Sequence, residues 1–196
     1  MDNWQYAADL PTAPPWRGQM TIPRHLSLGG APNELRLVQQ PVSLAPLRTN
    51  QRPFSATSLT GINEVLRGEY GLSHSSEAEL SIQLGTAKRV SLIVGGLVIK
   101  YDRGSAKLSV DRRRAGTVEF NPKFPAIVEA PLSAGNSLRL HLLFDRDSVE
   151  LFAEDGLVTI TTLFFPSPGP LHLQFAEEGG ELANIKGTIW DLKSAR

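Results

Sequence analysis

At 196 residues, with 20 Lys+Arg against 20 Asp+Glu, the chain is long enough to bury a sizeable core and carries no net charge. A neutral balance gives no global field for nucleic acid or an acidic membrane, and the single basic run, Arg112-Arg113-Arg114, follows Asp111 and lacks flanking aromatics. Without cysteine there is neither a disulfide framework nor a thiolate metal site, and the longest apolar run, Val90 to Ile99, is broken by Gly95-Gly96, so the chain reads as soluble and without an export signal.

Residues 1 to 24 stand apart. They hold Trp4, Trp16, Tyr6 and the prolines 11, 14, 15 and 23, more aromatic surface than so short a piece can bury by itself, and read as the edge of another body. Gln19 to Leu28 and Leu35 to Gln40 then read as strands separated by turn residues from Gly29 to Asn33. Pro41 to Arg52 reads as a connector with one helical turn, because Pro41, Pro46 and Pro53 forbid a long helix. Strand-like runs follow at Phe54–Leu59, Ala78–Leu84, Arg89–Val94, Leu97–Tyr101 and Lys107–Asp111, the last four parted by glycine turns. Ala115 to Leu132 is loop-like, with one short strand near Ile127. The chain closes with strands at Leu171–Ala176 and Ile185–Leu192.

The strongest pattern lies between Ser137 and Pro166. Leu138, Leu140, Leu142 and Phe144 alternate with polar partners, as do Val149, Leu151 and Ala153, and then Val158 and Ile160. Turning at Arg146-Asp147 and again at Asp155-Gly156 puts Phe144 opposite Val149, Leu142 opposite Leu151 and Leu151 opposite Ile160, all on one side. The other side receives Arg139 beside Glu154, His141 beside Phe152 and Thr159, and Leu143 beside Glu150 and Thr161. The result is an antiparallel meander whose apolar side a second sheet must cover, hence an all-β, two-sheet antiparallel sandwich of jelly-roll or lectin-like type. Leu163 and Phe165 leave an apolar pair on the outer side, to be covered by another body, by the N-terminal segment or by the chain's own loops.

Four stretches in order, NWQYA…LPTAPPWRGQMTIPRHLSL, LRLVQQPV, VIKYDRGSAKLSVDRRRAG and FDRDSVELFAEDGLVTITTLFFP, resemble the C-terminal third of glycoside hydrolase family 32, the β-fructosidases that include levanases, inulinases and invertases. The resemblance implies a β-sandwich that follows a five-bladed catalytic β-propeller. Residues 1–24 would be the remnant of the propeller end and linker, residues 25–196 the sandwich, and Met1 an internal methionine. The family's catalytic motifs, Asp-Pro-Asn, Arg-Asp-Pro and Glu-Cys, are absent from this sequence. Since glycosidases of this kind need a carboxylate and a carboxylic acid flanking the sugar, the chain is expected not to hydrolyse fructan, whereas its parent would be a glycosidase, secreted or cytoplasmic.

Three functions compete: support of the propeller, an autonomous fructan-binding module, and oligomerisation. The expected partners are the propeller, fructan (levan or inulin) oligosaccharide and a second copy of the chain; no nucleic acid, membrane or cofactor is expected. The fold also resembles the levan-binding modules of carbohydrate-binding module family 66. Sugar recognition pairs carboxylates with bidentate donors, and three groups offer this: Tyr101-Asp102, Asp111-Arg112, and Glu150 with Phe152 and His141. Each has a plainer reading. Asp111 with Arg112 or Arg114 makes a strand-end ion pair, Glu150 is a satisfied polar group, and His141 lacks a second His or Cys at ligand spacing, so no metal site is expected.

Overall fold

The structure, a computed structural model, describes residues 4–12, 19–30, 33, 35–68, 70–73 and 75–193; Met1, Trp16 and the pair Pro14-Pro15 fall outside them. Its elements are β1 (Arg24–Gly29), β2 (Arg36–Pro41), β3 (Arg48–Ala56), α1 (Leu59–Arg67), β4 (Ser76–Gln83), β5 (Arg89–Val94), β6 (Leu97–Asp102), β7 (Lys107–Asp111), β8 (Ile127–Pro131), β9 (Ser137–Asp145), β10 (Ser148–Ala153), β11 (Val158–Leu163), β12 (Gln174–Glu178) and β13 (Asn184–Leu192). One sheet runs β11-β10-β9-β4-β13-β3, a second runs β12-β5-β6-β7-β8, and β1 pairs with β2 as a separate hairpin. Every ladder between these strands is antiparallel. The expected all-β two-sheet sandwich is the observed fold.

Alternation sets the register of the six-stranded sheet. Leu142 pairs with Leu151 and Ala78, and Leu151 with Ile160, so one apolar row crosses four strands. The five-stranded sheet opposes it with the row Leu92, Ile99 and Val110. All these side chains are buried in one continuous core, the arrangement that leaves neither sheet an apolar side in water. A slip of one residue along β9 would turn its four inward apolar side chains outward.

Some elements differ from expectation. β3 starts at Arg48, inside the expected connector, whose one helical turn is a 3-10 turn at Ala45–Leu47. Pro53 is accommodated because β3 lies at the sheet edge, where a missing N–H breaks no ladder. Residues past Ala56 leave the sheet and form the helix α1, which the sequence reading lacked. Its cues are local: Ser58 Oγ accepts from Gly61 N at 3.1 Å, and Ile62 and Leu66, four apart, are fully buried. The first strand begins at Arg24 rather than Gln19, and β12 begins at Gln174 rather than Leu171.

Leu163 and Phe165 join Tyr6, Leu10, Val118 and Phe124 in a second buried cluster, with Phe120 packed against it. Both the N-terminal segment and the 115–125 loop therefore cover the apolar pair. The hairpin crosses the outer side of β10 and β11. There the turn at Glu154–Gly156 has positive φ at all three residues, 49°, 57° and 92°, and a Cβ on Gly156 would collide with the Gln39 carbonyl of β2. Gly156→Ala should thus lower the stability of the chain by about 2 kcal/mol, read by chemical denaturation, and lift the β1–β2 hairpin off the sheet.

Candidate functional site

The structure separates the sequence-predicted residues into two sheets. Tyr101 is a core residue of the five-stranded sheet, 2% exposed, its hydroxyl donating to Ala134 O at 3.3 Å and accepting from Ala134 N at 3.1 Å. Asp102 next to it caps a turn: its Oδ1 accepts from Gly104 N and Ser105 N, and Arg89 Nε donates to Oδ2 at 2.6 Å. The Arg89 hydrogen bond, foremost, holds the Asp102 carboxylate well below its usual range. Asp111 pairs with Arg113 at 2.7 Å, not with Arg112 or Arg114 as expected.

Arg112 is buried with no carboxylate partner among the described residues. Its Nε donates to Phe124 O at 2.7 Å, one terminal nitrogen donates to Thr162 Oγ1 at 2.9 Å and the other to Tyr6 Oη at 3.2 Å. The guanidinium also sits 4.2 Å from the Phe124 ring centroid and 5.3 Å from that of Tyr6. Through these neutral acceptors and ring faces Arg112 ties the N-terminal segment, the 115–125 loop and β11 together.

The third group lies on the outer side of the six-stranded sheet and is itself divided. Glu150 accepts from Ile22 N at 2.8 Å and from Arg24, which also donates to Thr161 Oγ1 at 2.8 Å. It anchors the approach to β1. His141 and Phe152 instead line an open groove of about 840 Å³ between the sheet and residues 40–43.

Alternation along β4 points Ala78, Leu80 and Ile82 inward and Glu77 and Glu79 into this groove, beside His141 of β9. From edge strand β3, Arg48 reaches across: Nε and one terminal nitrogen bond both oxygens of Glu77 at 2.7 and 2.8 Å, and that nitrogen also bonds Glu79 Oε1 at 2.6 Å. The guanidinium lies 4.1 Å from the Trp190 ring centroid, a bidentate and stacked geometry that lysine could not supply. His141 Nε2 is 2.7 Å from Glu77 Oε1. Burial of Glu77 would raise its pKa, but the Arg48 hydrogen bonds, followed by that of His141, outweigh it and bring the carboxylate down from 4.5 to about 2.

The sequence reading missed Arg48, Glu77, Glu79 and Trp190: Glu79 lies inside the expected strand Ala78–Leu84 and Glu77 one residue before it, but the pairing of that strand with His141 of β9 appears only in the fold. Glu77, Glu79 and His141 bring one ligand atom each within 4.8 Å of one another, but Arg48 already supplies the counter-charge. Nor do the two glutamates form a glycosidase pair. They leave one strand on the same side, bind the same guanidinium, and Glu77 is held ionised, whereas such a pair needs one carboxyl that keeps its proton and a partner across the sugar.

Two consequences are measurable. Because the folded-state pKa of Glu77 is depressed, its contribution, about 3 kcal/mol, is fully present above pH 4.5 and is lost as pH falls through about 2; denaturation series taken down to acidic pH should show this slope, and Glu77→Gln should lack it. Arg112→Met should cost about 3 kcal/mol and expose residues 4–12 to hydrogen exchange, whereas Asp111→Asn, which loses only a surface pair, should cost under about 1 kcal/mol.

Comparison with known proteins places this geometry. The profile described as "Glycosyl hydrolases family 32 C terminal" matches residues 43–191. The chain is 37% identical over 202 residues to a levanase of Bacillus subtilis (strain 168), aligning 98% of this chain with 30% of the levanase. It is 31% identical over 204 residues to an extracellular exo-inulinase of Aspergillus awamori, 99% of this chain against 38% of the inulinase. The crystal structure of an exo-inulinase from that organism superposes with a TM-score of 0.80 at 26% identity, over 99% of this chain and 39% of the other. The chain thus spans about a third of the length of these relatives. It belongs to glycosyl hydrolase family 32, of which it carries the C-terminal β-sandwich domain.

Proposed function

We propose that the chain is the non-catalytic C-terminal module of a fructan-degrading glycosidase, and that it steadies the catalytic propeller through the β1–β2 hairpin. The observation that carries this reading is an overhanging apolar surface. Across the ladder, Arg24 pairs with Pro41, Leu26 with Gln39 and Leu28 with Leu37, so these six share one side of the hairpin. At the Arg24 and Gln39 end that side is tied down to β10 and β11. At the other end Leu26, Leu28 and Leu37 are 63, 70 and 50% exposed.

A two-stranded hairpin with one wet apolar side is marginal in water and calls for further strands or a covering body. The family profile starts at residue 43, just past the hairpin, and more than half of each relative lies outside the matched region. The occupant that fits is the catalytic domain. On this reading the boundary between the propeller end and the sandwich falls near Pro41 rather than at residue 24, with Tyr6 and Leu10 as a second foothold on the sandwich. Absence of the catalytic motifs and the arrangement of Glu77 and Glu79 support a module without its own hydrolytic centre.

The 196-residue chain lacks cysteine, so Leu28→Cys gives a single reporter in it, and peptide mass mapping follows that thiol apart from any cysteine of a preceding catalytic domain. Its thiol should react freely with a maleimide in the 196-residue chain and be protected when the catalytic domain precedes it. Equal reactivity in both would overturn the docking surface, and protection that grows with concentration, with a dimer in light scattering, would assign the surface to a second copy. The purified chain should release no fructose from levan, inulin or sucrose; release would contradict the non-catalytic role.

A further inference from the structure

We infer that the groove over the six-stranded sheet is a binding site for a short, neutral, polyhydroxylated chain, a fructo-oligosaccharide, recognised by Arg48, Glu77 and Glu79. The choice of fructan rests on the proposed function; the character of the ligand comes from the groove itself. Three cations, Arg48, Arg139 and Lys186, line it against three anions, Glu77, Glu79 and Asp155. With the signs balanced there is no field to collect a phosphate or a metal ion, and what remains is a dense set of donors and acceptors suited to hydroxyl groups.

The recognition group is rigid before any ligand arrives. Arg48 is fixed on Trp190 and by both oxygens of Glu77, so its orientation costs little entropy on binding. Glu79, 49% exposed, stands at the edge of that pair with free lone pairs toward solvent. A guanidinium N–H beside a carboxylate oxygen can donate to one hydroxyl and accept from its vicinal neighbour, the pattern sugar diols require. Ser55, Ser81 and Thr188 continue the polar floor, and Val42 gives the hairpin side of the groove an apolar wall. At about 840 Å³ the space is in the ordinary range for a small-molecule site.

Titration of the isotopically labelled 196-residue chain with inulin- and levan-derived oligosaccharides, followed by two-dimensional NMR, tests this. The expected result is saturable shifts at the His141 ring and the Trp190 indole N–H with either sugar, and none with cello-oligosaccharides of equal length. Glu79→Ala and Lys186→Ala, both changes of exposed side chains, should weaken binding about tenfold with unfolding midpoints unchanged, as loss of one charge-assisted hydrogen bond predicts. No shift at millimolar fructan oligosaccharide, equal shifts with the cello-oligosaccharide, or shifts confined to another surface would overturn the site. Maleimide protection at position 28 and fructose release report on the proposed function separately, so either reading can fail without the other.

Discussion

The interior between the two sheets closes only while β9, β10 and β11 hold a common register, with Leu142, Leu151 and Ile160 in one row. That constraint decides the exterior as well. Because the side-chain period of a strand is two, fixing the apolar row fixes which residues stand on the far side. His141, Phe152 and Thr159 form the next row across the same three strands, which Glu79 of β4 extends, and Glu77 begins the neighbouring row through Leu143, Glu150 and Thr161. The groove and the anchor at Glu150 are in this sense by-products of core formation.

Charge around the sandwich is organised by arginines that span long stretches of chain. Arg24 meets Glu150, Arg48 meets Glu77, Arg52 meets Asp191 at 2.8 Å, and Arg112 meets no acid among the described residues. Removing one partner from such a site leaves a desolvated charge, which is costlier than the pair itself is stabilising. The networks thus act less as glue than as locks. They specify where the hairpin, the edge strand β3 and the N-terminal segment must lie.

How much could be read from the residues follows from range. The meander was legible through strict alternation and turn residues, and its cross-strand partners were read correctly down to individual pairs. Helix α1 was not: its nine residues are amphipathic but few, they include Gly61, and the first of them, Leu59, closes a run that reads as strand. Arg112 and Glu150 could be singled out as candidates but not understood, because Arg112 reaches Tyr6 across 106 positions and Arg24 reaches Glu150 across 126. The chemistry at Glu77 needed three strands brought together before it existed.

The margins of the sheets have a consequence of their own. An unpaired strand edge is a template for adding further chains, and here most such edges are blunted. Pro53 removes an N–H from edge strand β3, β8 ends at Pro131, and beyond β11 lie Tyr6, Phe124 and the Thr117 N–H bonded to Phe165 O at 2.8 Å. Along β12 the Asn63 side chain of α1 takes up the free groups of Phe175, accepting from its N–H at 2.8 Å and donating to its carbonyl at 2.9 Å. Fibrillar growth from the sandwich is thereby discouraged, and ordered self-assembly of the isolated polypeptide would begin at the leucine-bearing hairpin instead.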